Sequence, residues 1–196
     1  MTAASGPSTI KRLKKLAKEI PSERIIQGLL RILETRHVGS DYPVALIGTS
    51  LLERALEAAI LSRFVPMNQD DRNRLFNFEN RGPIADFASK IRFGAALGLF
   101  GPQTTSDLNH INQIRNLFAH SPTIYAFDEE AIADACGQLN ITKKLDDPEQ
   151  GKTPKGAYIT ACLLISSRLR SRLERAELAS ALAKYALYPM HDGLLP

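Results

Sequence analysis

The chain has 196 residues, of which 44% are hydrophobic and 23% charged, with a net charge of +4, two cysteines and no tryptophan. That balance excludes a globally disordered chain and suits one helical domain with a real core. No stretch of 18 uninterrupted apolar residues occurs, and Lys11, Arg12, Lys14, Lys15 and Lys18 break up any signal-peptide core, so a cytoplasmic protein with no membrane span is expected.

Strand-like alternation is nearly absent and helical periodicity is widespread. After Thr2–Ser8, the residues Ile10, Leu13, Leu16, Ala17 and Ile20 mark a short basic helix that Pro21-Ser22 ends. Ser22 then caps a helix through Ile25, Ile26, Leu29, Leu30 and Leu33 to about His37. Residues 1–36 hold eight Lys/Arg against Glu19, Glu23 and Glu34, so the excess positive charge of the chain lies here. We read 1–38 as a basic helical extension and 39–196 as the bundle domain. A basic segment on a near-neutral body can favour nucleic acid or an acidic partner, although a solvated helix face that keeps the protein soluble is the reading preferred here.

Gly39-Ser40-Asp41 breaks the chain. A long apolar helix from Pro43 to Phe64, rich in Ala, Leu and Ile, is expected at the centre of the bundle. Residues 66–83 are polar and turn-rich, and should hold a short helix and a loop. Pro83 is expected to start a helix carrying Ile84, Phe87, Ile91, Ala95, Leu97 and Phe100, which Gly101-Pro102 stops. Thr104, Thr105 or Ser106 then caps the next helix, which Ser121-Pro122 ends. Asp128 opens a shorter helix to about Leu139. Residues 140–156 read as a loop, residues 157–187 as a last long helix and 189–196 as a tail. The fold class is all-α: an antiparallel helical bundle with accessory N- and C-terminal helices.

The helix ending at Ser121 carries the most informative segment, Arg115-Asn116-Leu117-Phe118-Ala119-His120. With Ile111 at zero on a helical wheel, Leu108, Ile114 and Phe118 fall on one apolar face. Asn109, Asn112, Gln113, Asn116 and His120 fall between about 100° and 200°, opposite it. Lys or Glu would serve mere solubility better, so an amide stripe ending in an imidazole suits a binding face. Asn116 and His120 are i, i+4 neighbours. Arg115 flanks the apolar face. His110 lies off the stripe and reads as a surface or interface histidine. Glu53 and Glu57, also i, i+4, read as a salt-bridged face. Lys90 and Arg92 could add phosphate contacts, or simply carry solvated charge. Cys136 and Cys162 lack metal-site spacing and read as reduced core residues, and the four histidines have no zinc-type spacing, so no metal or cofactor is expected. No helix–turn–helix pair stands out, so sequence-specific DNA binding by this chain alone is not expected.

Arg-Asn-x-x-x-His near the end of a bundle helix resembles the signature of the HEPN superfamily of small helical domains. A longer stretch resembles the mannitol operon repressor (MtlR-like) family. It runs through Gly82-Pro83, Phe87, Lys90, Ile91, Ala95, Leu97-Gly98-Leu99, Asp107-Leu108, Ile111, Ile114-Arg115-Asn116, Phe118-Ala119-His120-Ser121, Phe127-Asp128, Ile132 and Cys136. That resemblance covers about residues 40–140. Proteins of the mannitol repressor kind are named as transcriptional regulators yet lack a recognised DNA-binding domain. The resemblance therefore implies a regulator acting through protein or RNA contacts.

Many HEPN domains are metal-independent endoribonucleases whose Arg and His meet at a dimer interface, so the alternative is a toxin-like ribonuclease working as a homodimer. Carried over, Arg115 would hold the scissile phosphate and His120 would be the general acid or base. Asn116 would orient either of them, and Lys90, Arg92 and Asn112 would contact nucleic acid.

Overall fold

The computed structural model describes residues 41–121, 125–144 and 152–187, with Glu23, Ile26, Gln27 and Leu30 before them. By its internal packing the chain divides into Met1–His37 and Val38–Pro196. The described helices from residue 41 onward all belong to the second unit. The expected helix at 10–20, the tail from 189 and all of the expected helix at 22–37 except Glu23, Ile26, Gln27 and Leu30, which are helical, lie outside the described residues.

Among its described residues this unit has six helices and no strand. They are α1 Asp41–Leu61, α2 Gln69–Phe76, α3 Phe87–Ala96, α4 Pro102–His120, α5 Glu130–Gly137 and α6 Pro154–Leu187. Short 3-10 turns at Phe78–Asn80 and Thr142–Lys144 follow α2 and α5. The fold is an all-helical bundle, as expected, and none of its described helices is long and apolar enough to cross a membrane.

The centre is α1. Its Ala- and Leu-rich sequence is intrinsically helical. It buries a wide stripe comprising Val44, Ala45, Gly48, Leu51, Leu52, Ala55, Leu56, Ala59 and Ile60. Each fully buried Leu or Ile contributes about 1.5–3 kcal/mol over its exposed state. The most extensive contact of α1 is with α6, followed by α4 and α3. Asp41 pairs with Lys155, Ala45 and Thr49 meet Tyr158, and Gly48 faces Cys162. The partners rise together along both helices, so α1 and α6 run in the same direction. Such a pair needs a crossover between its members, which α2 to α5 supply.

Gly48 lets the two helices close up, because a Cβ there would sit 3.1 Å from Cys162 Sγ and 3.2 Å from Tyr158 Cε1. Beside it Tyr158 is wholly buried. Its hydroxyl lies 2.6 Å from Thr49 Oγ1 and 2.8 Å from the Ala45 carbonyl, which Thr49 Oγ1 also approaches at 2.9 Å. Two hydroxyl protons thus serve three oxygens, and the cluster is satisfied without water.

Several element boundaries differ from the sequence reading, each for a local reason. Pro83 does not begin α3. The N-cap is Asp86, whose carboxylate accepts from the Ser89 N–H at 2.8 Å and the Ser89 hydroxyl at 2.7 Å. Helix α3 stops at Ala96 rather than running on to Phe100. Gly98 adopts φ +67°, the Gly98 N–H donates to Ala95 O, and the Leu99 N–H donates to Gly94 O. That is a complete Schellman motif.

Nor is the cap of α4 a hydroxyl residue. Gly101 occupies the cap and Pro102 the first helical position, where its missing N–H costs nothing. Helix α5 opens at Glu130, two residues past Asp128. Helix α6 opens three residues before Ala157, because the Thr153 hydroxyl accepts from the Gly156 N–H at 3.0 Å and Pro154 follows it.

Candidate functional site

Helix α4 buries Asp107, Leu108, Ile111, Ile114 and Phe118. Two devices hold it in place. At its N-terminal half the buried Asp107 carboxylate accepts three hydrogen bonds, from Asn140 N at 2.7 Å, Asn140 Nδ2 at 2.9 Å and Ile141 N at 3.0 Å. The charged acceptor thereby ties α4 to the chain leaving α5. At its C-terminal half Phe118 lies against Phe127 with centroids 5.0 Å apart, and Phe127 lies against Tyr158 at 5.1 Å. The Phe127 N–H donates to Asp41 Oδ2 at 2.9 Å. An aromatic ladder therefore runs from the Arg115–His120 segment into the α1–α6 core.

On this backing the polar residues face outward. Asn116 and His120 are exposed, and Arg115 and Asn112 are half-buried. Arg115 Nη1 donates to Asn116 Oδ1 at 3.0 Å and comes within 3.5 Å of His120 Nε2. The second contact is weak at that length, and only an imidazole with Nε2 unprotonated can accept it. The spacing of one and five residues thus brings all three side chains together at the end of the helix. Arg115 makes no ion pair with a carboxylate among the described residues. Its planar fork keeps donors for an anion. Leu117 is 42% exposed beside the cluster, which gives the patch an apolar edge.

The flanking cations expected to touch nucleic acid divide. Arg92 is exposed and donates to Ser89 Oγ at 2.9 Å. Burial pushes the Asp86 carboxyl up, but hydrogen bonds from the Ser89 hydroxyl and N–H, together with the Arg92 charge, outweigh it and leave Asp86 below the usual carboxylate range. Lys90, by contrast, is buried, with its side chain 4% exposed. Its ammonium meets Glu53 Oε1 at 2.7 Å, Glu57 Oε2 at 3.2 Å and the Ala85 carbonyl at 3.2 Å. All its donors are taken, so Lys90 is not free to reach a phosphate. Expecting it at a nucleic-acid surface overlooked that it shares the inner face of α3 with Phe87, Ile91 and Gly94.

Glu57 also pairs with Arg72 at 2.8 Å, so Glu53 and Glu57 form a salt-bridged face joining α1 to α2 and α3, as their spacing suggested. His110 is engaged rather than free, its Nδ1 lying 2.9 Å from Ser106 O and its Nε2 3.1 Å from Gln138 Oε1. Cys136 and Cys162 are buried free thiols. Burial pushes Cys136 up to about 12, and it also pushes Cys162 up against an opposing hydrogen bond with Tyr158. Among the described residues no three His, Cys, Asp or Glu converge as metal ligands would.

The residue missed by the sequence reading was Asp107. It sits on the apolar face of its helix, between Gly101 and the Leu108–Ile111 stripe, and a carboxylate in that position signals a buried acceptor.

The arrangement defines a class: an all-helical protein with a rigidly backed, solvent-facing Arg–Asn–His cluster at a helix end. The family model described as MtlR, mannitol repressor, matches residues 74–184, from within α2 to near the end of α6 and so over half of the chain. The chain belongs to the mannitol repressor family. The match starts later than the resemblance first seen at about 40–140, and it takes in the last helix, which the quoted motifs did not reach. No curated protein and no solved structure matches the chain.

Proposed function

We propose that this chain is a regulatory protein that acts through contacts with RNA or a protein partner, made by the exposed end of α4, without a DNA-binding motif of its own. Membership of the mannitol repressor family supports the regulatory role. The observation that carries the rest is the Arg115–Asn116–His120 cluster. It is a cation with two hydrogen-bonding neighbours, turned to solvent, carrying no carboxylate partner among the described residues and braced from beneath by Phe118. His120 stands in the last turn of α4 and Arg115 before it. Asn112, one turn earlier, and Arg92 would extend the contact.

One observation favours a second reading, a metal-independent endoribonuclease acting as a homodimer. The 3.5 Å approach of Arg115 to His120 puts a charge-stabilising group beside a proton-moving one, as cleavage through a 2′-hydroxyl requires. Arg115 would hold the phosphate and His120 would move protons at the attacking or leaving oxygen.

The test is incubation of the full chain with mixed RNA in EDTA, with Arg115→Ala and His120→Ala alongside. RNA that is retarded but intact, with retardation lost in Arg115→Ala, supports the regulator with an RNA contact. Intact, unretarded RNA leaves a protein partner for the regulator and removes the ribonuclease. Cyclic-phosphate ends made by the wild type and by neither variant establish the ribonuclease instead.

A further inference from the structure

The turn that follows α2 holds an aromatic ring out into solvent. Phe78 opens this 3-10 turn and is 79% exposed. The backbone around it is fixed. Asn77 Oδ1 accepts from the Glu79 N–H at 2.9 Å, and Asn77 O accepts from the Asn80 and Gly82 N–H groups at 3.2 and 3.1 Å. The Arg81 N–H donates to Phe78 O at 3.0 Å, and the Ile84 N–H donates to Leu75 O at 3.0 Å. A ring so mounted loses little further freedom when a ligand packs on it.

Arg81 closes the turn at φ 51° and ψ 39°, and among the described residues it alone has a positive φ without being glycine. Glycine would adopt that conformation without strain. An exposed arginine kept in a strained position is a mark of use for its side chain. Arg81 makes no ion pair among the described residues. The turn brings its Cα within about 7 Å of that of Phe78. Gly82 follows, where a Cβ would collide with the Leu75 carbonyl and come within 2.9 Å of the Arg74 carbonyl. That close approach sets a second exposed cation, Arg74, beside the turn, paired only loosely with Asp71 at 3.6 Å. Glu79, the acidic residue of the turn, has a partner of its own. Asn80 is exposed, and its amide makes one long bond, to Asn73 O at 3.4 Å.

We propose that the Phe78–Arg81 turn binds an unpaired nucleotide of a single-stranded nucleic acid. The base stacks on the Phe78 ring, Arg81 and Arg74 meet the adjoining phosphates, and Asn80 is free to bond a base edge. Every base has a π-face, so one exposed ring with a cationic, amide-bearing rim is sufficient. Paired bases are stacked on one another and offer the ring no face. A protein partner would need an apolar centre to its interface, whereas Phe78 stands among Asn77, Glu79, Asn80 and Arg81. The turn is a different place from the Arg115 cluster, and the inference does not rest on how that cluster is read.

The test is fluorescence anisotropy of labelled 12-nucleotide strands, RNA and DNA of one mixed sequence, titrated with the full chain and its variants. The two strands distinguish the sources of the nucleotide, and an RNA duplex is the control. Phe78→Ala should bind the preferred strand about tenfold more weakly, and Phe78→Tyr, which keeps a ring, within about twofold of the parent. Arg81→Gly should make the slope of log affinity against log salt shallower by about 0.7. It relieves the backbone strain, so its thermal midpoint should not fall. Arg115→Ala is titrated alongside. Affinity that falls in Arg115→Ala but not in Phe78→Ala or Arg81→Gly would overturn this inference and leave the α4 contact standing. Affinity that falls in Phe78→Ala supports it whatever Arg115→Ala does. Strands that do not bind, or a duplex bound as tightly as they are, would overturn it. So would a photoreactive phenylalanine analogue at position 78 that crosslinks to protein and not to the strand.

Discussion

At the scale of single residues, two kinds of polar side chain on α4 behave oppositely. Asp107 is buried, and its carboxylate satisfies three donors of the 140–141 segment. Asp107→Ala would leave those donors buried without a partner, and should lower the unfolding free energy by about 3 kcal/mol, read by urea denaturation. Arg115 and His120 lie at the surface end of the same helix and bond chiefly to each other and Asn116. Arg115→Ala and His120→Ala should each stay within about 0.5 kcal/mol of the parent in that experiment. The pair separates a residue that holds the helix from residues the helix displays. A large loss in Arg115→Ala would return the cluster to a structural role.

At the scale of elements, the α3–α4 connection is set by two glycines with different duties. Gly98 supplies the left-handed conformation that ends α3. Gly94 supplies space, since its missing Cβ admits the Phe100 ring and Leu56 Cδ1. Gly94→Ala introduces only one methyl but has contacts at 2.8 and 2.9 Å to relieve. It should destabilise by about 1–3 kcal/mol despite the better helix propensity of alanine, and thermal unfolding would measure it. A stabilised variant would mean that Phe100 swings away at no cost.

The same elements show how far local sequence reaches. The helical segments and the apolar face of α4 could be read from periodicity, because both depend on neighbours three and four residues apart. The exchange of caps could not. Pro83 and Pro102 are equally good helix starters in isolation, and Asp86 wins over Pro83 because the Ile84 N–H is held by Leu75 O across the turn from α2.

At the scale of the whole molecule, the core holds groups that ordinarily titrate. Cys136 and Cys162 lie in it as thiols, raised by burial. A raised pKa means that the folded state holds its proton longer than the unfolded chain, so stability from these thiols is intact below their ordinary 9.0 and is lost as pH climbs toward 12. Denaturant midpoints should therefore fall as pH rises from about 9 toward 12, and the fall should shrink in Cys136→Ala. Near neutrality neither thiol should react with Ellman's reagent except through opening of the bundle, so labelling should accelerate in step with denaturant. Fast labelling of the native protein would place one of them at the surface.

Residue spacing on single helices was enough to establish the all-helical class, the apolar stripe of α1, the exposed stripe of α4 and the coincidence of Arg115, Asn116 and His120 at one helix end. The burial of Lys90 between Glu53 and Glu57, the capture of Asn140 and Ile141 by Asp107, the shared direction of α1 and α6 and the seat of Phe100 on Gly94 belong to the tertiary structure alone. Each depends on which helix packs against which. Asp107 meets Asn140 across 33 positions and Tyr158 meets Ala45 across 113, and separations of that size leave no periodic signal in the chain.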